Sequence, residues 1–257
     1  MEYIDLKWKI NLKVLKNKFM AEQVKPYNSS SKKKQISLMF DNISKTYDAI
    51  NFIMSFGMDY YWRLKITNRI NNNSAEILDV ATGTADLAIL MSKKTTGKVI
   101  GVDISDLMLD IGRKKVIKKD ISNIELINAD GESLPFKNCA FDLVTSSFGI
   151  RNFENIKRGL KEFNRVLKSG GELIILEPSI PENLIFKQFY QVYFNIILPI
   201  IGYIISRDKR AYQYFTKSVN AFPNDKKFLK MLNETGFRQC RVNKITMGII
   251  SIFIAKK

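Results

Sequence analysis

Short apolar runs recur along the middle of the chain, at 76–80, 98–103, 124–128, 141–147 and 172–176. They are continuous rather than alternating, which is how a strand buried on both faces of a parallel sheet reads. Between them lie stretches with apolar positions at three- and four-residue steps, one beginning after Gly83 and others spanning 106–119 and 155–167. In the 106–119 helix Leu107, Met108 and Ile111 are expected to face inward, leaving a Lys/Arg-rich face in water. Gly170 and Gly171 read as the stop of the helix before them. A helix at 225–234 and strands at 239–244 and 248–255 close the pattern. Such alternation predicts an α/β fold, a mostly parallel sheet with helices on both faces.

Ahead of the first strand, Ile36, Met39, Phe40, Ile43, Tyr47 and Ile50 mark one face of a helix. Ser55-Phe56-Gly57 breaks it, and 59–70 reads as a second helix. Residues 35–75 are thus expected to form a helical cap at the mouth of the site, within a single domain spanning 35–257. Residues 4–14 alternate apolar and polar positions with no hairpin partner, and 24–34 has linker composition, so 1–34 is expected to be a flexible basic extension. The most hydrophobic window, 193–205, is interrupted by Asn195, Pro199 and Gly202 and is too short to span a bilayer. Within an insertion at 185–222 it reads either as buried core or as a greasy, membrane-facing lid for a lipophilic substrate, and the lid is the expectation. Arg207, Lys209 and Arg210 stand beside it to meet anionic lipid. No signal peptide or membrane span is expected.

The candidate chemistry begins at the first turn. The run 76–80 carries Asp79 and leads through Ala81-Thr82-Gly83-Thr84-Ala85 into a helix. Strand, small-residue turn and helix is how ligand-binding α/β sheets begin, and Gly83 lets the backbone approach a ligand closely. The spacing is neither a dinucleotide fingerprint nor a phosphate-binding loop. The second strand ends in Asp103, suited to grip a ribose diol, and Asp130 after the third strand is suited to accept from an adenine amino group. A glycine turn and a strand-terminal acid without a phosphate loop point to the nucleoside part of S-adenosyl-L-methionine.

Composition narrows the rest. The chain has 257 residues, a formal net charge of +16, no histidine and two cysteines. The basic residues are scattered, which argues against nucleic acid as a partner. The absence of histidine excludes a Ser-His-Asp triad, His-ligated zinc and an imidazole base, and no metal is expected. Cys139 and Cys240 have no ligand spacing and fit a reducing compartment, hence a cytoplasmic location. The hydrophobic window and the basic residues after it place the protein, as an expectation, peripherally at the inner face of the cell membrane.

Several stretches resemble one family. They are Asp79-Val80-Ala81-Thr82-Gly83-Thr84, Gly101-Val102-Asp103-Ile104-Ser105, Ser147-Phe148-Gly149-Ile150-Arg151-Asn152-Phe153, Leu176-Glu177-Pro178-Ser179, Thr46-Tyr47-Asp48 and Ala221-Phe222-Pro223. They are similar to those of the class I methyltransferases of quinone biosynthesis, the demethylmenaquinone and 2-polyprenyl-6-methoxybenzoquinol C-methyltransferases. The chain departs from the family pattern at Ala85, where a glycine is usual, and at Phe52, where a histidine is usual. The resemblance implies a Rossmann-like, seven-stranded, mostly parallel sheet with S-adenosyl-L-methionine as cofactor. The implied binding residues are Asp79, Gly83, Thr84, Asp103, Asp130, Gly131 and Ser147.

It also implies C-methylation of a polyprenyl quinol ring, demethylmenaquinol to menaquinol as the last step of menaquinone biosynthesis. The alternatives are the benzoquinol intermediate of ubiquinone biosynthesis, another lipophilic or phenolic acceptor, and a binding protein that has lost catalysis. A quinol carbon becomes nucleophilic when a neighbouring hydroxyl loses its proton. Arg151 is suited to hold the oxygen, Asn152 to orient a water or hydroxyl, and Tyr47 or Asp48 to take the proton. Transient membrane contact follows from the lipid tail, and homodimer formation is left open.

Overall fold

The computed structural model describes residues 24–27, 31–198, 200–201, 203 and 208–257. The alternating 4–14 stretch, Pro199, Gly202 and Arg207 lie outside the described residues. The strands are β1 (Ile77–Val80), β2 (Val99–Asp103), β3 (Ile124–Asn128), β4 (Phe141–Ser147), β5 (Leu167–Pro178), β6 (Arg238–Ile245) and β7 (Ile250–Lys256). Among the described residues they form one seven-stranded sheet in the order β3-β2-β1-β4-β5-β7-β6. Pairing is parallel from β3 to β5, and β7 runs antiparallel to both of its neighbours.

The apolar runs are continuous because both faces are covered. Leu78, Val80, Leu173 and Ile175 point to one side, where they meet Leu160 and Phe163 of α5 (Ile156–Val166) and Phe228 of α8 (Asp225–Glu234). Ile77, Leu143, Ile174 and Leu176 point to the other. There they meet Trp62 and Ile66 of α2 (Met58–Thr67) and Leu87 and Met91 of α3 (Asp86–Ser92). Burying a leucine- or isoleucine-sized side chain contributes about 1.5–3 kcal/mol, so these two layers hold the sheet. A third cluster joins Ile36, Met39 and Ile43 of α1 (Lys32–Ser55) to Tyr190, Phe194 and Tyr214. Helix α1 therefore meets the lid while α2 covers the sheet: Tyr190 is in α6 (Leu184–Val192), Phe194 in the π-turn that continues it, and Tyr214 in α7 (Lys209–Ala221).

Three local expectations change. Helix α1 begins at Lys32, because the Ser31 hydroxyl accepts from the Lys34 N–H, so three basic residues assigned to the extension belong to the cap. In α4 (Asp106–Lys118) the inward residues are Met108, Leu109 and Gly112, whereas Leu107 is about half exposed. Gly112 sets that phase: a Cβ there would stand 3.1 Å from the Ala85 Cβ, so only its bare backbone fits against the first turn. Gly170 and Gly171 do not stop a helix. Helix α5 ends at Val166 and β5 begins at Leu167, with the glycines at an irregularity in its pairing with β4.

Candidate active site

Order reverses between β1 and β4, which is where the crevice of an open α/β sheet lies. The backbone here is unusual. Ala81, Ala85 and Phe148 all take positive φ, at 57°, 66° and 61°. A glycine takes such a conformation without strain, which accounts for the glycine usual in place of Ala85. Phe148 directly follows β4 and is pinned by its N–H, which donates to Leu176 O at 2.7 Å. Its ring is flanked by Trp62 edge-on at 6.1 Å and by the Arg63 guanidinium at 5.8 Å.

Two cavities meet at this ring. The first is small, about 60 Å³, and is lined by Gly83, Asp103, Asp130, Gly131 and Ser147, with Lys33 and Ile36 above them. The second encloses about 360 Å³ and is walled largely by carbon, with Arg63, Arg151, Asn152 and Tyr190 among its polar members. Phe40, Tyr47, Phe148 and Asn152 line both.

Asp103 ends β2 with each carboxylate oxygen held by the backbone. Oδ2 accepts from the Gly83 N–H and Oδ1 from the Ser105 N–H, at 2.8 and 2.9 Å. Burial raises its pKa, and these bonds oppose the rise. At Gly83, φ +58°, a Cβ would reach only the Tyr47 ring, at 4.0 Å. At Gly131 a Cβ would meet Phe153 at 2.6 Å and Val80 at 2.7 Å, so the loop lies flat against the sheet edge. Asp130 pairs with Lys33 and accepts from the Glu132 N–H at 2.9 Å. The Ser147 hydroxyl is buried without a partner among the described residues.

Three of the expected site residues are elsewhere. The Thr84 hydroxyl donates to Asp48 Oδ1 at 2.6 Å and accepts from Lys115 Nζ at 2.9 Å, and Thr84 lines neither cavity. Asp48 lines neither cavity as well, and its second oxygen pairs with Lys115 at 2.6 Å. The two residues tie the cap to the glycine turn, so the structure does not bring Asp48 to where a proton acceptor is needed. Asp79 is buried under the turn, its oxygens accepting from Thr82 and Thr145 at 2.7 and 2.6 Å.

Burial pushes the Asp79 carboxyl up to about 6. A folded-state value above the unfolded one means stability that is present at low pH and lost as pH rises through about 6. Asp79→Asn lacks this term. Between pH 7 and pH 4 the wild type should therefore gain about 2–3 kcal/mol relative to the variant, read by urea unfolding at each pH.

Arg151 and Asn152 follow β4 in a short helical turn, Ile150–Asn152. One Arg151 nitrogen donates to Glu177 Oε2 at 2.9 Å, and its backbone N–H donates to the other oxygen at 3.3 Å. Glu177 is fully buried near the end of β5; burial raises its pKa, and Arg151 opposes the rise. The Arg151 Nε has no partner among the described residues, and the guanidinium carbon lies 5.0 Å from the Phe215 ring centre. Tyr47 keeps accessible surface because its ring faces the cavities; its hydroxyl lies deep enough for burial to raise its pKa, against the Asn51 hydrogen bond and the charges of Arg63 and Arg151. Sequence reasoning gave no role to Lys33, Glu177, Tyr190 or Tyr214. For Glu177 a signal existed: it ends β5 as Asp103 ends β2.

The donor set suits an adenosyl sulfonium. It offers a carboxylate for the ribose, an acid and a flat backbone for the base, and an unpartnered buried hydroxyl in Ser147. At about 60 Å³ the first cavity has room for only a few waters, with the Lys33–Asp130 pair across it.

Residues 28–257 match the model of the ubiE/COQ5 methyltransferase family. The chain is 40% identical over 243 residues to the demethylmenaquinone methyltransferase of Bacteroides fragilis, a match covering 93% of this chain and 99% of that protein. It is 40% identical over 233 residues to the protein of the same name from Staphylococcus saprophyticus, covering 90% and 99%. Among solved structures, a SAM-dependent methyltransferase from Aquifex aeolicus superposes with a TM-score of 0.59 at 17% identity. That match covers 81% of this chain and 96% of that one, and it shows a shared fold.

Proposed function

Since the chain belongs to the ubiE/COQ5 methyltransferase family, we propose that it methylates a ring carbon of demethylmenaquinol, the last step of menaquinone biosynthesis. It is an S-adenosylmethionine-dependent methyltransferase. The observation that carries the acceptor reading is the pair of cavities with a common wall: one ringed by nucleoside-binding groups, the other roomy and carbon-lined. When bound, the cofactor supplies an electrophilic methyl group on sulfur.

The protein's own groups do the remaining work. Asp103, Gly83, Asp130, Gly131 and Ser147 hold and orient the adenosyl group, and binding exchanges the Lys33 contact on Asp130 for one to the base. Arg151 Nε and the Asn152 amide hold the acceptor oxygen as it gains charge, in a site from which the lid excludes water. Glu177 offsets most of the guanidinium's field, so Arg151 acts as a directed donor more than as a bare charge. Tyr47, its pKa raised by burial, stays protonated at neutral pH and donates to the acceptor oxygen rather than taking its proton. That proton passes to solvent before the lid closes, and the ring proton displaced by the methyl moves to the same oxygen. Fixing both reactants in line supplies roughly 7–11 kcal/mol toward the barrier.

Purified protein should bind S-adenosylhomocysteine by calorimetry and methylate reduced demethylmenaquinone. Cells lacking it should accumulate a quinone one methyl short by mass spectrometry. Cofactor binding without transfer to any quinol overturns the acceptor reading.

A lipid-tailed acceptor also needs an entrance, and the mouth of the larger cavity is flanked by exposed apolar side chains. Phe52 and Phe56 stand on the cap, and Phe189, Val192 and Ile196 on the lid. Among the described residues no helix is long and apolar enough to cross a membrane, so we read this face as a transient contact with the inner leaflet. Phe56→Asp and Phe189→Asp together should lower partition onto phosphatidylglycerol vesicles by about tenfold or more in a sedimentation assay. Cofactor binding should be unchanged. Equal partition of variant and wild type removes this face from the bilayer.

A further inference from the structure

We propose that Tyr214 is the positioning residue for the Asn152 amide, coupling the lid to methyl transfer. Resting on the reading above, it adds a residue from the other end of the chain to the site. The Tyr214 hydroxyl donates to Asn152 Oδ1 at 3.1 Å, and both residues are more than nine-tenths buried. Tyr214 also lines the larger cavity, and Asn152 lines both. An amide has two nearly isosteric ends, one that only accepts and one that only donates, so what fixes its orientation fixes what it presents to a ligand.

Here the orientation is set from one side. A hydrogen bond to an acceptor oxygen needs the NH₂ end to face the acceptor cavity. The remaining protein contact of that end is to Phe148 O at 3.5 Å, too long to hold the group by itself. The Tyr214 hydroxyl stays protonated, since burial raises its pKa with Arg151 opposing and Glu177 reinforcing, and it donates to Oδ1. With that hydroxyl on the oxygen and the accept-only Phe148 carbonyl beside the nitrogen, the amide is held with its NH₂ end away from Tyr214. Tyr214 belongs to α7, whose start is capped by Asp208 and whose Thr216 hydroxyl donates to Phe194 O of the lid at 3.0 Å. A lid displaced from the cavity carries Tyr214 away and leaves the amide free to rotate.

Tyr214→Phe keeps the ring and removes the donor. With the full-length chain, reduced demethylmenaquinone and labelled S-adenosylmethionine, kcat should fall about tenfold while the KM for the cofactor holds. The double variant Tyr214→Phe/Asn152→Ala should be no slower than Asn152→Ala alone, because the tyrosine acts through the amide. Thr216→Val, which loosens the tie between this helix and the lid, should lower kcat in the same direction as Tyr214→Phe and by less. A second readout needs no substrate. The Asn152 side-chain amide signals in a nitrogen-15 NMR spectrum, assigned by their loss in Asn152→Ala, should shift in Tyr214→Phe. Unmoved amide signals, or rate losses that multiply in the double variant, overturn the proposal. A wild type that transfers nothing to the quinol overturns the substrate reading and leaves the NMR test decisive for the positioning.

Discussion

Replacing Asp103 by alanine should weaken binding of S-adenosylhomocysteine by about 100-fold or more, measured by titration calorimetry. The carboxylate is rigid before any ligand arrives, since Gly83 and Ser105 N–H groups each hold one oxygen. The carboxylate also lines the smaller cavity and, as an ionised group with about four lone-pair positions, has acceptor capacity left for a ligand. A ribose diol can donate to both oxygens, and each hydrogen bond to a charged group is worth about 1.5–3 kcal/mol. Losing two therefore costs roughly 3–6 kcal/mol before the turn itself relaxes. Asp103→Asn keeps one acceptor and should lose about half of that free energy. Because burial raises the Asp103 pKa, acidification should weaken binding in the wild type and do little in the alanine variant. A folded alanine variant that binds within threefold of wild type would remove Asp103 from the cofactor site.

The largest stability loss should come from Glu177→Ala. Arg151 is almost fully buried, and its one ion pair among the described residues is to Glu177. Taking away the carboxylate leaves a cation in a low-dielectric interior, which costs about 3–5 kcal/mol. For a chain of this size that is a fall of roughly 6–20 °C in the melting temperature, at about 2–4 °C per kcal/mol. Glu177→Gln keeps two acceptor positions on its oxygen and should fall between. The double variant Arg151→Met/Glu177→Leu removes both charges and should recover most of the stability while staying inactive. A single alanine variant that melts with the wild type would mean the pair contributes nothing.

Local pattern made the sheet legible. Strand β4 spans Phe141–Ser147 as the apolar run indicated, and Asp103 ends β2 because strand and turn are both written in adjacent residues. What did not show is what depends on distant partners. Lys33 falls in the stretch whose composition reads as linker, yet it pairs with Asp130, 97 positions away. Tyr214 and Asn152 are 62 positions apart, and nothing in either neighbourhood indicates the other. Thr84 and Asp48 carried motif identity, but their side chains satisfy one another and Lys115 instead of facing the cavity. Leu107 was given the wrong side because a helical repeat fixes which residues share a face, and the close approach at Gly112 fixes where that face points.

Helix α1 roofs both cavities, its first turn over the smaller and its middle over the larger. One stiff rod resting on two chambers cannot rise at one end without disturbing the other. Turnover should thus require both reactants aboard together, giving intersecting rather than parallel double-reciprocal plots.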